Sequence, residues 1–329
     1  CTDGNGTLYA TKGNSQLGFY KYSYYENTWT QLKDVPIGPN NKKVKGGTSA
    51  VYAYSGGQPW VYLLKGYKNE FYRYDPAADT WNALPDAPIG PTGKPKWDKG
   101  SWIVHDEVAI IYANKGKYPE MYTFNTETNV WSPDTVAAMP RAGSSGNKKC
   151  GDGSSGAWYD GGITALKGGN TKELWRYTAA SNSWAELETL PTNGSSNKKK
   201  KVKAGGSITS AGGKIFYATK GNKTREFWRY RLAGAVAVRE EYSAVALPGG
   251  SDRISIAPNP TAGYAVIRLP AAFAAASLVR IYDIRGSLVM ERPAGASTVR
   301  LDCRALVPGV YLVQARGPGG RATCRLVKE

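Results

Sequence analysis

Histidine is nearly missing: His105 is the one imidazole in 329 residues. That excludes a metal site needing two imidazoles and most histidine-based catalytic dyads. No stretch approaches the roughly 18 consecutive apolar residues of a membrane-spanning helix. Cysteine is scarce, with four residues at Cys1, Cys150, Cys303 and Cys324, and a chain of this length is no small disulfide scaffold. Acids are outnumbered, 26 Asp plus Glu against 43 Lys plus Arg, and the net charge of +17 points to an acidic partner. What is plentiful is 39 Gly, 22 Tyr and 10 Trp, a composition of turn-rich β structure. The length suits two domains of roughly 150 residues each.

The cations change type along the chain. Lysine dominates up to residue 250, whereas arginine dominates from 251 onward, where Lys328 is the single lysine. This places a boundary between a first domain, 1–250, and a second, 251–329. Within the first, residues 48–100, 101–153 and 154–206 align as three units of 53 residues, the period of a propeller blade. Lys-Gly pairs recur at Lys12, Lys65, Lys115, Lys167 and Lys220, so a shortened first unit and a degenerate fifth flank the regular three. Each pair precedes an aromatic strand (GFYKY, EFYRY, EMYTF, ELWRY, EFWRY), followed in four units by a turn into Trp29, Trp81, Trp131 or Trp184. The Asn, Asp, Pro and Ser of those turns favour tight hairpins.

These motifs resemble kelch repeats over roughly residues 1–240, with one consistent departure: the family's Gly-Gly is Lys-Gly in all five units. The resemblance implies a five-bladed kelch-like β-propeller, a fold found in binding proteins and a few enzymes. The first unit lacks the strand that opens the others, and residues 241–248, YSAVALPG, are the expected replacement that closes the ring.

In up-and-down blades the loops after strands two and four emerge on one side. The loops after strand four hold Lys42, Lys43, Lys45, Lys94, Lys96, Lys99, Arg141, Lys148, Lys149, Lys198, Lys199, Lys200, Lys201 and Lys203. With the loops after strand two, this side gathers 24 cations against six acids, and the opposite side is expected to be acidic. Solvated lysines that keep the protein soluble are the plain reading. A basic side could also hold acidic polysaccharide, lipopolysaccharide or nucleic acid without reading sequence. A basic side opposite an acidic one also permits head-to-tail self-association into a homo-oligomer or filament. Trp97, between Lys96 and Lys99, is expected to be an exposed anchor for a ligand or neighbouring subunit.

After Pro-Gly-Gly at 248–250, some seven short strands in 79 residues read as an immunoglobulin-like β-sandwich, so the fold class is all-β. The stretch 271–277 is too short to require a helix. Pro258-Asn259-Pro260-Thr261 with Gly263, IYDIRG at 281–286, Gly309-Val310-Tyr311 and the basic last strand ending near Lys328 resemble the type A C-terminal sorting domain of the bacterial type IX secretion system. That resemblance implies passage to the outer cell surface or the medium, usually with removal of the domain. In an exported protein Cys303 and Cys324 are candidate disulfide partners. Cys1, at a start without Met, is a candidate for lipidation or for pairing with Cys150.

Catalysis finds little support in the sequence. Kelch-like copper oxidases need two histidines, no sialidase-type Asp-box is present, and the acids recur in hairpin turns. GDGSSG at 151–156 joins two strands with no following helix to receive a phosphate. No cofactor or metal is expected. The expectation is a non-enzymatic exported building block or adhesin; the alternatives are a binder of acidic glycans and an extracellular carbohydrate-active enzyme.

Overall fold

A computed structural model describes residues 1–132, 136–195, 197–232, 254–269, 277–283, 286–294, 297–317 and 320–329. The expected closing strand 241–248, the Pro-Gly-Gly hinge and most of 271–277 lie outside them. The described residues are all-β, in two compact units, Cys1–Val236 and Ala237–Glu329.

The first unit is a succession of antiparallel meanders. β1 (Thr7–Thr11), β2 (Phe19–Ser23) and β3 (Thr28–Leu32) form one sheet; β4 (Ser49–Ser55), β5 (Gln58–Leu64), β6 (Phe71–Asp75) and β7 (Thr80–Leu84) form the next. β8 (Trp102–His105), β9 (Ile110–Lys115), β10 (Glu120–Asn125) and β11 (Val130–Trp131) follow, then β12 (Ser155–Tyr159), β13 (Gly162–Leu166), β14 (Leu174–Thr178) and β15 (Ser183–Glu186). β16 (Ser207–Ser210), β17 (Ile215–Thr219) and β18 (Phe227–Arg231) end the series. The opening strands lie side by side, β4 by β8, β8 by β12 and β12 by β16. They line one cavity of about 470 Å³ together with Cys1 and Thr2. Among the described residues, the chain's own start lies along the outer edge of β1. Thr2 bridges Leu8, the Cys1 amino group donates to the Tyr9 carbonyl at 3.0 Å, and the Tyr9 amide donates back at 2.8 Å.

Local sequence explains the hairpins. Asn27, Asp79, Asn129 and Asn182, each two residues before the recurring Trp, have φ of 53, 51, 57 and 46°, a left-handed conformation that Asn and Asp tolerate. Their side chains also stitch units together. Asp79 accepts from the Lys33 amide of the preceding unit (2.8 Å), and Asn182 from the Ala137 amide (2.8 Å). The indole N–H of Trp81, Trp131 and Trp184 donates to Lys33, Pro85 and Ala137 carbonyls of the preceding unit. The aromatic stripe is therefore the packing between units.

The second unit packs the sheet of β19 (Ser255–Ala257), β20 (Tyr264–Arg268) and β23 (Thr298–Asp302) with that of β21 (Ser277–Tyr282), β22 (Leu288–Ala294), β24 (Gly309–Gly317) and β25 (Gly320–Lys328). Ala265, Ile267, Val299 and Leu301 meet Val279, Ile281, Val313 and Leu326 in one core, a β-sandwich. The Pro-Asn-Pro-Thr motif is a latch on the last strand: Asn259 donates to the Arg325 carbonyl and accepts from the Val327 amide, both at 2.7 Å. Thr261 continues the pairing beside Lys328 in parallel.

The expected Cys303–Cys324 disulfide is not formed. Cys303 is buried just after β23, in one sheet, and Cys324 lies on β25 of the other, opposite Val313; both thiols are free. Cys1 and Cys150 are free as well, and Cys150 is a core residue whose thiol is pushed up by burial. Trp97 also departs from expectation. It is fully buried rather than exposed, donating its indole N–H to the Pro88 carbonyl at 3.1 Å and packing near Tyr122 and Trp131. Its loop folds inward at this point, as the loops of the other units do at Val44, Cys150 and Val202.

Candidate functional site

The loops after the second and fourth strands of each meander meet on one side of the first unit. Gln16 bridges Val44, the Tyr67 amide donates to the Trp97 carbonyl (2.6 Å), Lys117 to Cys150 (2.9 Å) and Asn170 to Val202 (2.9 Å). A buried residue pins each basic loop, and the flanking lysines are left outside. Lys42, Lys43, Lys45, Lys94, Lys99, Lys148, Lys149, Lys198, Lys199, Lys201 and Lys203 are exposed, and Lys96 and Lys200 half-buried.

Four lysines counted with these loops are not available to any partner. Lys65, Lys115, Lys167 and Lys220 are fully buried and paired with Glu70 (3.4 Å), Glu120 (2.8 Å), Glu173 (2.7 Å) and Glu226 (2.7 Å). Each ammonium also donates to a backbone carbonyl of the preceding unit, at Ile37, Ile89, Arg141 and Thr192 respectively. Burial pushes the Lys65 ammonium down, partly offset by Glu70. Burial alone would raise the Glu120 carboxyl, but hydrogen bonds from Lys115, Thr92 and Tyr122 outweigh it and hold the group below the usual range. In four of the five units the lysine of the Lys-Gly pair thus staples one unit to the next. Charge counting missed this, although a Glu five or six residues after each of these lysines was the available signal. The pairs remove as many cations as anions, so the exposed loops keep their positive excess.

Several of the exposed cations line a cleft of about 540 Å³ shared by three units. Lys117 and Lys96 both reach one oxygen of Asp98, at 2.6 and 3.1 Å. Burial would raise Asp98, but Lys117, the Lys99 amide and Lys96 hold its carboxyl low. Lys45 and Lys96 stand 4.9 and 4.8 Å from the Tyr67 ring centre, within cation–π range. Lys99 turns to Asp152 at 3.4 Å. On the other side, carboxylates cap turns: Asp75 accepts from Ala77 and Ala78, Asp106 from Val108, Ala109 and Ile110, and Glu127 from Gly56. His105 lines the central cavity, and burial pushes its imidazole down.

The ends of the series differ from its joints. Phe19, Phe71, Met121 and Leu174 hold equivalent places near the starts of their strands and are 0–1% exposed, each covered by the following unit, whereas Phe227 at the same position is 68% exposed. Trp29, whose counterparts bond to a preceding unit, is 59% exposed. Lys12 is exposed too, and Gly18 stands where the other units have the pairing Glu.

Residues 255–329 match the family described as the secretion system C-terminal sorting domain. The protein is accordingly exported, to the cell surface or beyond it. No curated protein matches the chain. Among solved structures it is similar to YjhT, at 14% identity over 65% of this chain and 69% of YjhT, TM-score 0.44. It is also similar to PorZ, an essential bacterial surface component of the type IX secretion system of Porphyromonas gingivalis. That match has 13% identity over 99% of this chain and 44% of PorZ, TM-score 0.36, so the chain spans less than half of PorZ's length.

Proposed function

We propose that the protein is a non-enzymatic building block of the cell surface, in which a kelch-like array of five blades joins copy to copy through aromatic side chains exposed on its first and last sheets. The observation that carries this is Phe227, 68% exposed where its four counterparts are 0–1% exposed. At internal joints Phe19 lies 4.9 Å from Trp81, and Phe71 5.1 Å from Trp131. Trp29, exposed beside a hollow of about 410 Å³ lined with Thr11, Lys12 and Tyr20, offers a second copy the seat that Trp81 and Trp131 give within the chain. Such a contact joins unlike surfaces, and so closes into a ring or continues as a filament. Sedimentation of the purified chain over a range of concentrations tests it. Wild type is expected to assemble, and Phe227→Asp and Trp29→Asp to remain monomeric; a wild type that stays monomeric at high concentration overturns the reading.

A second reading, capture of an acidic polymer by the lysine side, is favoured by the cleft that collects Lys45, Lys96, Lys99 and Lys117. Retention on a dextran sulfate column, weakened when Lys198, Lys199, Lys200 and Lys201 are changed to alanine, tests it independently of assembly.

A further inference from the structure

We infer that the cleft around Tyr67 is a binding site for a sulfate or phosphate ester carried on a sugar chain; this rests on the polymer-capture reading of the lysine side and gives it a place and a ligand chemistry. Four ammonium groups, Lys45, Lys96, Lys99 and Lys117, line the cleft against one carboxylate, Asp98. Asp98 is shared by Lys96 and Lys117, and Lys99 leans out to Asp152. Among the described residues Lys45 has no carboxylate partner and shares the Tyr67 ring with Lys96. Cations crowded in a concave site repel one another, and an anion between them removes that cost. The cleft has lysines and no arginine, hence mobile point charges that can each turn an N–H toward a different oxygen of an ester's oxyanion without the fixed planar fork of a guanidinium.

The backbone supplies an independent observation. The residue after each Lys-Gly is left-handed in all five units: Asn14, Tyr67, Lys117, Gly169 and Asn222, with φ of 47, 62, 72, 59 and 51°. Asn and Gly adopt this conformation readily, whereas bulky side chains pay for it. Of these five, the two bulky residues, Tyr67 and Lys117, both line the cleft. The cleft's volume of about 540 Å³ is that of a small-ligand site, and the Asn14 and Ser15 side chains in its lining suit sugar hydroxyls.

The test is calorimetric titration of the full chain with short sulfated, phosphorylated and neutral dextran oligosaccharides. One or both charged series should bind, the tighter one naming the ester, and the neutral series should not. The Lys45→Ala, Lys96→Ala double variant should lose affinity by roughly ten- to a hundredfold, the effect of removing hydrogen bonds to a charged group. Tyr67→Asn, which installs the residue found in two sister units, should weaken binding while leaving the melting temperature equal or higher. Changing Lys198 to Lys201 to alanine should leave short-oligosaccharide affinity nearly unchanged. Undiminished affinity in the double variant overturns the cleft assignment. If that variant and wild type also share affinity for long dextran sulfate, polymer capture stands without the cleft. If no charged dextran binds wild type, both fall.

Discussion

Trp97 stands between Lys96 and Asp98 in a lysine-rich loop, and composition around it suggests exposure. The 53-residue period says otherwise, since stepping back or forward by one unit reaches Val44 and Cys150, both buried. A residue's neighbours in sequence describe its loop, whereas its counterparts in other units describe its site. Trp97→Ala should therefore cost about 3–5 kcal/mol of stability, the range for emptying a large aromatic site. Denaturant unfolding measures it. If stability is unchanged while oligosaccharide affinity falls, Trp97 is a ligand anchor after all. The same difference between neighbours and counterparts governs the cysteines. Alternation along β25 gives no view of the opposite sheet, and Cys324 sits across from Val313 with its thiol free.

At the scale of elements, the meanders were legible because strand, turn and Trp recur at a fixed interval, and every Asn or Asp two residues before the Trp takes the left-handed turn. The buried ion pairs were hidden by the same regularity: a lysine next to glycine reads as a loop cation until the previous unit's carbonyl is seen over it. Such a pair is a weak source of net stability but expensive to halve. Glu120→Ala should cost about 3–5 kcal/mol by stranding the Lys115 ammonium, and the Lys115→Met, Glu120→Leu double variant should recover much of that loss. Acid has a related effect. The Glu120 carboxyl is held below its ordinary value of 4.5, so its contribution is complete above that pH and drains away as the pH falls through the lower folded value. Thermal unfolding followed from pH 6 downward should show a loss of stability that the double variant shows less of. Gly90 guards the same pair: a Cβ there would strike the Tyr122 hydroxyl and the Glu120 carboxylate, and its φ is 69°.

The whole molecule holds two kinds of surface with opposite physics. The ends of the sheet series expose aromatic carbon at Phe227 and Trp29, and contacts made there draw on burial of apolar area, which salt leaves intact. The lysine side acts through charge, whose reach shrinks from about 10 Å at 0.1 M salt to about 3 Å at 1 M. The sequence showed the second surface through its lysine count. It concealed the first, because Phe227 and Trp29 look like every other member of their stripe and differ only in having no covering unit among the described residues. Salt should therefore separate the two proposed activities in one preparation. Raising sodium chloride from 0.1 to 1 M should release the protein from dextran sulfate while leaving assemblies in the sedimentation profile intact. Phe227→Asp should reverse the pattern, abolishing assembly at either salt concentration while keeping salt-sensitive retention on the polymer. If salt dissolves the assemblies too, the copies are held by the basic side against the acidic turns, and the aromatic ends are not the joint.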